Sequence, residues 1–230
     1  MTTCLITGAN RGIGLELARL YAHGGATVLA TARSPSTATD LMRLKIDCPS
    51  LQILPLDVAD GASFDQLAAS LTGRAVDTLI ANAGVMGPRA GIGDPANTPE
   101  TWAHVLSVNV TGVFLTVRAL LPNIQAASGG RIAIISSRMA SSAAANGSSY
   151  LYRASKAAAA NLAANLAREL KPQGIAVGVY HPGWVQTDMG GAGADIAPTV
   201  SAAGLRKRID HLSVATTGVF EDYGGVVIPF

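Results

Sequence analysis

The chain has 230 residues, which suits one large domain, and 49% of them are hydrophobic, enough for a substantial buried core. A net charge of +2 gives no sign of the strongly basic surface of a nucleic-acid-binding protein, and two cysteines with four scattered histidines form neither a disulfide framework nor a metal-ligand cluster. The N-terminus shows no secretion signal, and no uninterrupted apolar run has the length of a membrane span. We therefore expect a cytoplasmic protein that binds neither nucleic acid nor membrane.

A glycine-rich turn connects the first predicted strand, residues 4–7, to the first predicted helix, which runs from about Leu15 to Gly24. Glycines allow a tight turn and a close approach of the backbone, and the free N–H groups and dipole of a helix N-terminus favour an anion. This unit therefore predicts a phosphate-binding turn. Its candidate contact residues are Gly8, Asn10, Arg11, Gly12, Ile13 and Gly14.

Strands and helices continue to alternate after this unit. The apolar patterns predict strands over 26–32, 51–58 and 77–81 and helices over 37–46 and 63–71. Such alternation indicates a parallel sheet with right-handed crossovers. No change of composition suggests a linker, so we expect one α/β domain over residues 1–230.

A long apolar helix is predicted over 99–126, with Asn109 inside its apolar run. A buried asparagine must find hydrogen-bond partners, and one with an unused valence can hold a water molecule. A purely structural asparagine bonded to backbone is the alternative. The next predicted strand covers 131–136, and Ser136 and Ser137 lie at its end.

Tyr152 and Lys156 lie four residues apart in an alanine-rich helix predicted over 150–171. That spacing places both side chains on one face of a helix, one turn apart. A lysine cation favours the phenolate and can lower the pKa of a tyrosine by about 1–3 units, which suits proton transfer. Tyr150 has Ala154 at the same spacing and therefore no such partner. Because the pair is common by chance, its weight depends on the motifs around it.

The C-terminal part begins with a strand predicted over 175–180, which leads into the segment from Pro182 to Thr187. We expect a flexible substrate loop at about 188–212 that contains a short helix. A last strand is predicted over 225–229 at the edge of the sheet, where proline is tolerated.

Together these motifs resemble the short-chain dehydrogenase/reductase family in its compact single-domain form, over nearly the whole chain. Residues 7–14 match its T-G-x-x-x-G-x-G turn, residues 82–84 its N-A-G motif, and residues 182–187 its P-G-x-x-x-T loop. The segments around 150–156 and 181–189 are more narrowly similar to the C-factor/sniffer-like carbonyl reductases. The family's catalytic residues fall, in order, at Asn109, Ser137, Tyr152 and Lys156.

The resemblance implies a doubly wound Rossmann-type sheet that binds NAD(P)H across its strand ends, and hydride transfer between the nicotinamide and a carbonyl or alcohol. Tyr152 would be the general acid or base, Lys156 would lower its pKa and bind the nicotinamide ribose, and Ser137 would hold the carbonyl oxygen. Asn109 would fix a water that links Lys156 to solvent. The other implied cofactor contacts are Asp57 and Val58 at the adenine, Asn82, Ala83 and Gly84 after the fourth strand, and Pro182, Gly183, Val185 and Thr187 near the carboxamide.

Two questions stay open at the site and in the function. The loop between Ser137 and Tyr152 is slightly longer than the family's usual spacing, so Ser136, Ser141 or Ser142 are alternatives to Ser137. A sugar epimerase or dehydratase of the extended branch is a rival enzyme, although few residues here follow the P-G-x-x-x-T loop. An NADP(H)-binding regulatory or signalling protein without turnover is the alternative of a different class.

The end of the second predicted strand bears on cofactor choice. An NAD-preferring enzyme usually has an acidic residue there, whereas this chain has Ala32 followed by Arg33. Arg33, with Arg11 as a second cation, would bind the 2′-phosphate of NADPH. We therefore expect NADP(H) to be favoured over NAD(H).

Loop composition and helix polarity indicate the substrate and the partners. The loops expected around the substrate are rich in glycine, alanine and serine, which indicates few charged groups and an uncharged aldehyde, ketone or quinone. Relatives in the family pair through the helices around 105–121 and 157–167, and here both are apolar over a wide surface. We expect a homodimer or homotetramer.

Overall fold

The computed structural model describes residues 2–230, and in them seven parallel strands form one sheet. The strands are β1 (Thr3–Ile6), β2 (Thr27–Ala32), β3 (Leu51–Pro55), β4 (Thr78–Ala81), β5 (Arg131–Ile135), β6 (Ala176–His181) and β7 (Phe220–Asp222). Their order is β3-β2-β1-β4-β5-β6-β7, so β1 pairs with β2 on one side and with β4 on the other. The direction in which the sheet grows reverses between β1 and β4, which opens a crevice at their carboxyl ends.

Helices cover both faces of this sheet, as the alternating pattern predicted. They are α1 (Gly12–His23), α2 (Thr39–Asp47), α3 (Gly61–Ser70), α4 (Pro99–Leu106), α5 (Gly112–Gln125), α6 (Tyr150–Leu170) and α7 (Pro198–Asp210). Helices α1, α2 and α7 pack on one face, where Leu17 and Leu205 are fully buried. Helices α3, α5 and α6 pack on the other face around Leu120 and Ala163. The expected doubly wound architecture is confirmed.

The helix expected over 99–126 is interrupted between α4 and α5. A π-helical turn, Ser107–Thr111, joins them, and the N–H of Gly112 donates to the carbonyl of Ser107, five residues back. A turn of this kind inserts one residue into an α-helix and is frequent at functional sites. Asn109 lies inside the turn and is fully buried.

The combined span Pro99–Gln125 would suit a membrane helix by length and composition, although no such span was expected from the sequence. It has 27 residues and reaches a mean hydropathy of 1.6. In the fold, Val113, Val117 and Leu120 of this span pack into the core that covers one face of the sheet. The span is therefore a core helix of the domain, and the cytoplasmic location stays a prediction.

The last strand lies earlier than predicted. Residues 225–229 form no strand, and Val227 makes only an isolated antiparallel bridge to Glu221. The Asp222 carboxylate accepts hydrogen bonds from the N–H groups of Gly224 and Val226, which closes a turn directly after β7. The chain reverses there and leaves Val226 and Val227 exposed, so the apolar pattern of this segment was misleading.

The short helix expected within the substrate loop at about 188–212 is α7, which begins at Pro198 and packs firmly on the domain. Leu205 and Ile209 of α7 are fully buried. Arg206 donates a hydrogen bond of 2.8 Å to the carbonyl of Leu20 and lies over the ring of Tyr21. These contacts fix α7 against α1, so only residues 188–197 remain as a loop beside the crevice.

Candidate active site

Two glycines of the turn between β1 and α1, Gly8 and Gly14, lie where a side chain would not fit. Gly8 has a φ of +64°, which favours glycine. A Cβ on Gly14 would clash with the carbonyl oxygen of Gly8 and would lie 2.6 Å from the amide nitrogen of Asn82. The backbone therefore remains open where α1 begins, and the turn can hold a phosphate at its free N–H groups.

Asn82 and Ala83, the residues after β4, hold this turn in place. The amide of Asn82 donates to the carbonyl oxygens of Thr7 and Gly8, at 3.0 and 3.1 Å. The Thr7 hydroxyl accepts hydrogen bonds from the backbone N–H groups of Asn82 and Ala83, both at 3.0 Å. Asn82 was expected to contact a cofactor, and the structure adds that its side chain shapes the phosphate-binding turn.

The two arginines expected at the 2′-phosphate differ in their surroundings. Arg33 is exposed directly after the buried Ala32, where β2 ends, and forms no ion pair with any residue of the described chain. Arg11 instead forms an ion pair of 2.7 Å with Asp188, whose side chain is as exposed as its own. Arg11 as a second cation at the 2′-phosphate stays a prediction, and the structure adds that the loop after β6 places a carboxylate beside it.

The candidate adenine contacts lie just beyond β3. Val58 is buried. The carboxylate of Asp57 accepts a hydrogen bond of 2.9 Å from the N–H of Ala59, and its own N–H donates to the hydroxyl of Ser63. These bonds fix Asp57 at the carboxyl edge of the sheet, on the same edge as the glycine turn.

Tyr152 and Lys156 lie one turn apart at the start of α6, as their spacing predicted. Both are buried, and the Lys156 Nζ lies 5.7 Å from the centre of the Tyr152 ring. The Nζ donates a hydrogen bond of 3.0 Å to the carbonyl of Ile135, the last residue of β5. Tyr150, by contrast, is 43% exposed and lies outside the cavity that Tyr152 lines.

Burial, rather than the neighbouring lysine, dominates the acidity of this tyrosine. It raises the pKa of Tyr152 to about 12, although a hydrogen bond with Ser137 and the charge of Arg89 act in the opposite direction. Burial also lowers the pKa of Lys156 to about 8. The expected lowering of the tyrosine pKa by Lys156 is therefore absent from this structure. A phenol of this pKa stays protonated at neutral pH and can donate a proton.

Ser137 is the serine that faces the phenol. Its hydroxyl accepts a hydrogen bond of 3.1 Å from the N–H of Met139, and the residue lines the same cavity as Tyr152 and acts to lower the pKa of the phenol. The hydroxyl of Ser136 points elsewhere and donates to the carbonyl of Lys156 at 3.1 Å. The hydroxyl of Ser141 is buried without a hydrogen-bond partner within residues 2–230, and Ser142 is exposed.

Asn109 uses its side chain as a clamp. Its amide nitrogen donates to the carbonyl of Val85 at 2.9 Å and to the hydroxyl of Ser155 at 3.0 Å, and its oxygen accepts from the N–H of Val85 at 2.8 Å. A Cβ on Gly84 would lie 3.3 Å from both the Asn109 oxygen and the Lys156 Nζ, so these three residues meet at one point. The side chain is thus bonded to backbone, as the structural alternative has it, and its oxygen accepts only one hydrogen bond from the described residues, so the expected water-holding role stays a prediction.

The loop after β6 returns to the glycine turn. The Pro182 carbonyl accepts a hydrogen bond of 2.6 Å from the Ser201 hydroxyl, and Val185 is buried. A Cβ on Gly12 would lie 3.2 Å from the Thr187 methyl group, so this loop and the turn before α1 form opposite walls of the crevice. Gly183 has a φ of +86° at the bend between β6 and the loop.

A cavity of about 580 Å³ lies between these walls, and both Tyr152 and Ser137 line it. The expectation of few charged groups around it is wrong, because Arg89, Arg138 and Arg153 line it as well. His181 also lines the cavity, and its Nδ1 is buried without a partner in the described part of the chain. Little in the sequence indicates that these residues line the cavity. Arg138 and His181 are adjacent to motif residues, whereas Arg89 is adjacent to no motif.

The chain is similar in sequence and in fold to known proteins. The family model of the short chain dehydrogenases matches residues 2–195. The C-signal protein of Myxococcus xanthus is 38% identical over 156 residues, which are 67% of this chain and 93% of that protein. The solved structure of the carbonyl reductase Sniffer of D. melanogaster is 28% identical, covers 100% of both chains and has a TM-score of 0.94. That of an NADPH-bound carbonyl reductase from chicken fatty liver is 33% identical, covers 100% of this chain and 99% of its own, and has a TM-score of 0.92.

Proposed function

The chain belongs to the short chain dehydrogenase family of oxidoreductases, and from that premise we propose that it is an NADPH-dependent reductase of a small carbonyl compound. One observation carries the proposal: a protonated phenol, Tyr152, meets the hydroxyl of Ser137 at the wall of a cavity beside the glycine turn. Two hydroxyls that converge in this way can bind one carbonyl oxygen and stabilise the negative charge that develops on it.

The residues around the substrate oxygen have different roles in the proposed reaction. NADPH supplies the hydride when bound. Tyr152 donates its proton to the carbonyl oxygen as general acid, and Ser137 donates a hydrogen bond to the same oxygen. Lys156, whose Nζ donates to the carbonyl of Ile135, lies beside the phenol and binds the ribose of the cofactor in this proposal. Asn109 positions this pair indirectly, because it holds Ser155 on α6 and the backbone of Val85.

NADPH oxidation should occur with some members of a panel of aldehydes, ketones and quinones. The absorbance of NADPH measures the rate, and a binding assay on the same protein measures its affinity for NADPH. A protein that binds NADPH but reduces nothing in the panel would contradict the proposal. That result would favour the alternative of a regulatory protein that senses the cofactor without turnover.

Arg33→Ala should remove most of the preference for NADPH over NADH, which we expect to be at least roughly tenfold in kcat/KM for the unchanged protein. A hydrogen bond to a charged group contributes about 1.5–3 kcal/mol, and about 1.4 kcal/mol corresponds to a factor of ten. Kinetics with both cofactors measure the ratio. Arg11→Ala provides the comparison, since Arg11 is paired with Asp188 and should contribute less. Equal use of both cofactors by the unchanged protein would refute this role of Arg33.

We also propose that the protein is a homodimer or homotetramer that pairs through α5 and α6. Phe114 on α5 is 40% exposed, next to half-buried apolar residues that include Leu115 and Leu121. Light scattering should give the mass of the oligomer, and Phe114→Glu should shift it towards the monomer. Met42→Glu is the matched control, because Met42 is 46% exposed on α2, away from the proposed interface. A monomer at micromolar concentration would refute the proposal.

A further inference from the structure

The cavity beside Tyr152 is positively charged. Three arginines line it, namely Arg89, Arg138 and Arg153, and the described residues around it include no aspartate or glutamate. An unbalanced charge of one sign in a concave site raises the local concentration of ligands of the opposite sign. The function of each arginine therefore depends on whether its guanidinium is already engaged within the protein.

Arg153 is engaged. Its guanidinium donates hydrogen bonds to the carbonyls of Ser148 and Ala144, at 3.0 and 2.7 Å, and to the side-chain oxygen of Asn146, at 2.7 Å. These bonds use all three of its nitrogens and hold the loop that leads into α6. Arg153 shapes the wall of the cavity and has little capacity left for a ligand.

Arg89 and Arg138 are largely free. Arg138 is exposed and forms no hydrogen bond or ion pair with its guanidinium in the described chain, while that of Arg89 donates only to the carbonyl of Met189 across the cavity. The five ion pairs found within residues 2–230 involve neither of them. The carboxylate of Asp188, on the loop beside the cavity, is already paired with Arg11.

Both charges act on titratable groups that line the cavity. Burial raises the pKa of Tyr152 to about 12, and the charge of Arg89 opposes this rise, while burial and the charge of Arg138 together lower the pKa of His181 to about 4. Arg89 also has a fixed backbone, because its carbonyl accepts hydrogen bonds from the N–H and hydroxyl of Ser149 at the start of α6. The neutral ring of His181, with its buried and unpartnered Nδ1, adds a further hydrogen-bonding group to the same wall.

We propose that the carbonyl substrate carries an anionic group, in the simplest case a carboxylate, which Arg89 and Arg138 bind while its carbonyl oxygen lies between Tyr152 and Ser137. This inference rests on the proposed function and narrows its substrate class. Guanidinium groups suit the role because their planar donors match the geometry of a carboxylate. The uncharged substrate that the loop composition suggested is therefore the less suitable ligand for this cavity.

The test compares charged aldehydes with neutral ones of nearly the same size: 3- and 4-carboxybenzaldehyde, each against its methyl ester, with NADPH. The kcat/KM for the better acid should exceed that of its ester about tenfold or more. In Arg89→Ala/Arg138→Ala that ratio should fall to near one, and in the unchanged protein it should shrink as salt is added. The ratio is the readout, since any general effect on catalysis cancels in it. Arg168→Ala is the control that should keep the ratio, because Arg168 lies sixteen residues along α6 from Tyr152, about 24 Å away.

Binding of the alcohol products separates failure of this inference from failure of the proposed function. Calorimetry with NADP⁺ present measures the affinities for 3- and 4-(hydroxymethyl)benzoate and for their methyl esters. One outcome is that an acid binds at least tenfold more tightly than its ester, only with both arginines present, while no aldehyde is reduced. That result would support anion binding and contradict the proposed reductase function. Equal reduction or equal binding of acid and ester, or a ratio that survives the double substitution, overturns the inference.

Discussion

Replacing Tyr152 by phenylalanine should lower the kcat/KM of carbonyl reduction about 10²–10⁴-fold, the usual contribution of a general acid. The substitution removes the hydroxyl and keeps the ring, so the packing of the buried side chain should persist. Affinity for NADPH should change little, because the glycine turn and Arg33 are untouched. Steady-state kinetics on the best substrate of the carbonyl panel, together with a cofactor-binding measurement, would give both values.

Tyr150→Phe is the matched control for this substitution. Tyr150 lies two residues away on the same helix, is exposed and lies outside the cavity. The kcat/KM of the Tyr150→Phe protein should therefore stay close to that of the unchanged protein. A Tyr152→Phe protein that retains most of its activity would show that another group donates the proton.

Asn109→Ala should reduce stability strongly as well as activity. The truncation leaves the N–H and carbonyl of Val85 without the bonds that the structure gives them, while the hydroxyl of Ser155 keeps only the bond that it donates to the carbonyl of Tyr152. Each buried group left unpaired costs about 1–3 kcal/mol, and in a domain of this size each kcal/mol lowers Tm by about 2–4 °C. We expect a fall in Tm of about 10 °C, measured by calorimetry.

The exposed residue Asn165 provides the control for Asn109, because its amide bonds only to Asn161 one turn earlier on α6. Asn165→Ala should change Tm by a degree or two, as surface substitutions usually do. If Asn109→Ala lost activity with an unchanged Tm, the asparagine would act through a held water rather than as a clamp.

Most of the fold and much of the candidate site could be predicted from local sequence patterns. The alternation of apolar strands and helices, the glycine turn at Gly8 and the placement of Tyr152 and Lys156 on one helical face follow from short-range periodicity and were foreseen. These features depend on residues a few positions apart, and such spacing is visible in a single sequence.

The features that were missed depend on tertiary contacts. Arg11 forms an ion pair with Asp188, which lies far away in the chain, and nothing in the sequence around either residue indicates this pair. Arg89 and Arg138 converge on one cavity from different loops, so loop composition alone suggested an uncharged wall. The strand predicted over 225–229 failed because the side chain of Asp222 closes a turn before it.

Because of the π-helical turn Ser107–Thr111, the fold depends on the number of residues in this segment as well as on their identity. Deleting one residue there would restore a regular α-helix and rotate α4 by about 100° relative to α5. Val105, buried on α4, would turn away from the core, and the Asn109 position would leave Val85 and Ser155. Natural variation in this stretch should therefore occur by substitution, whereas gains and losses of residues should accumulate in the exposed loops on either side of the long helix.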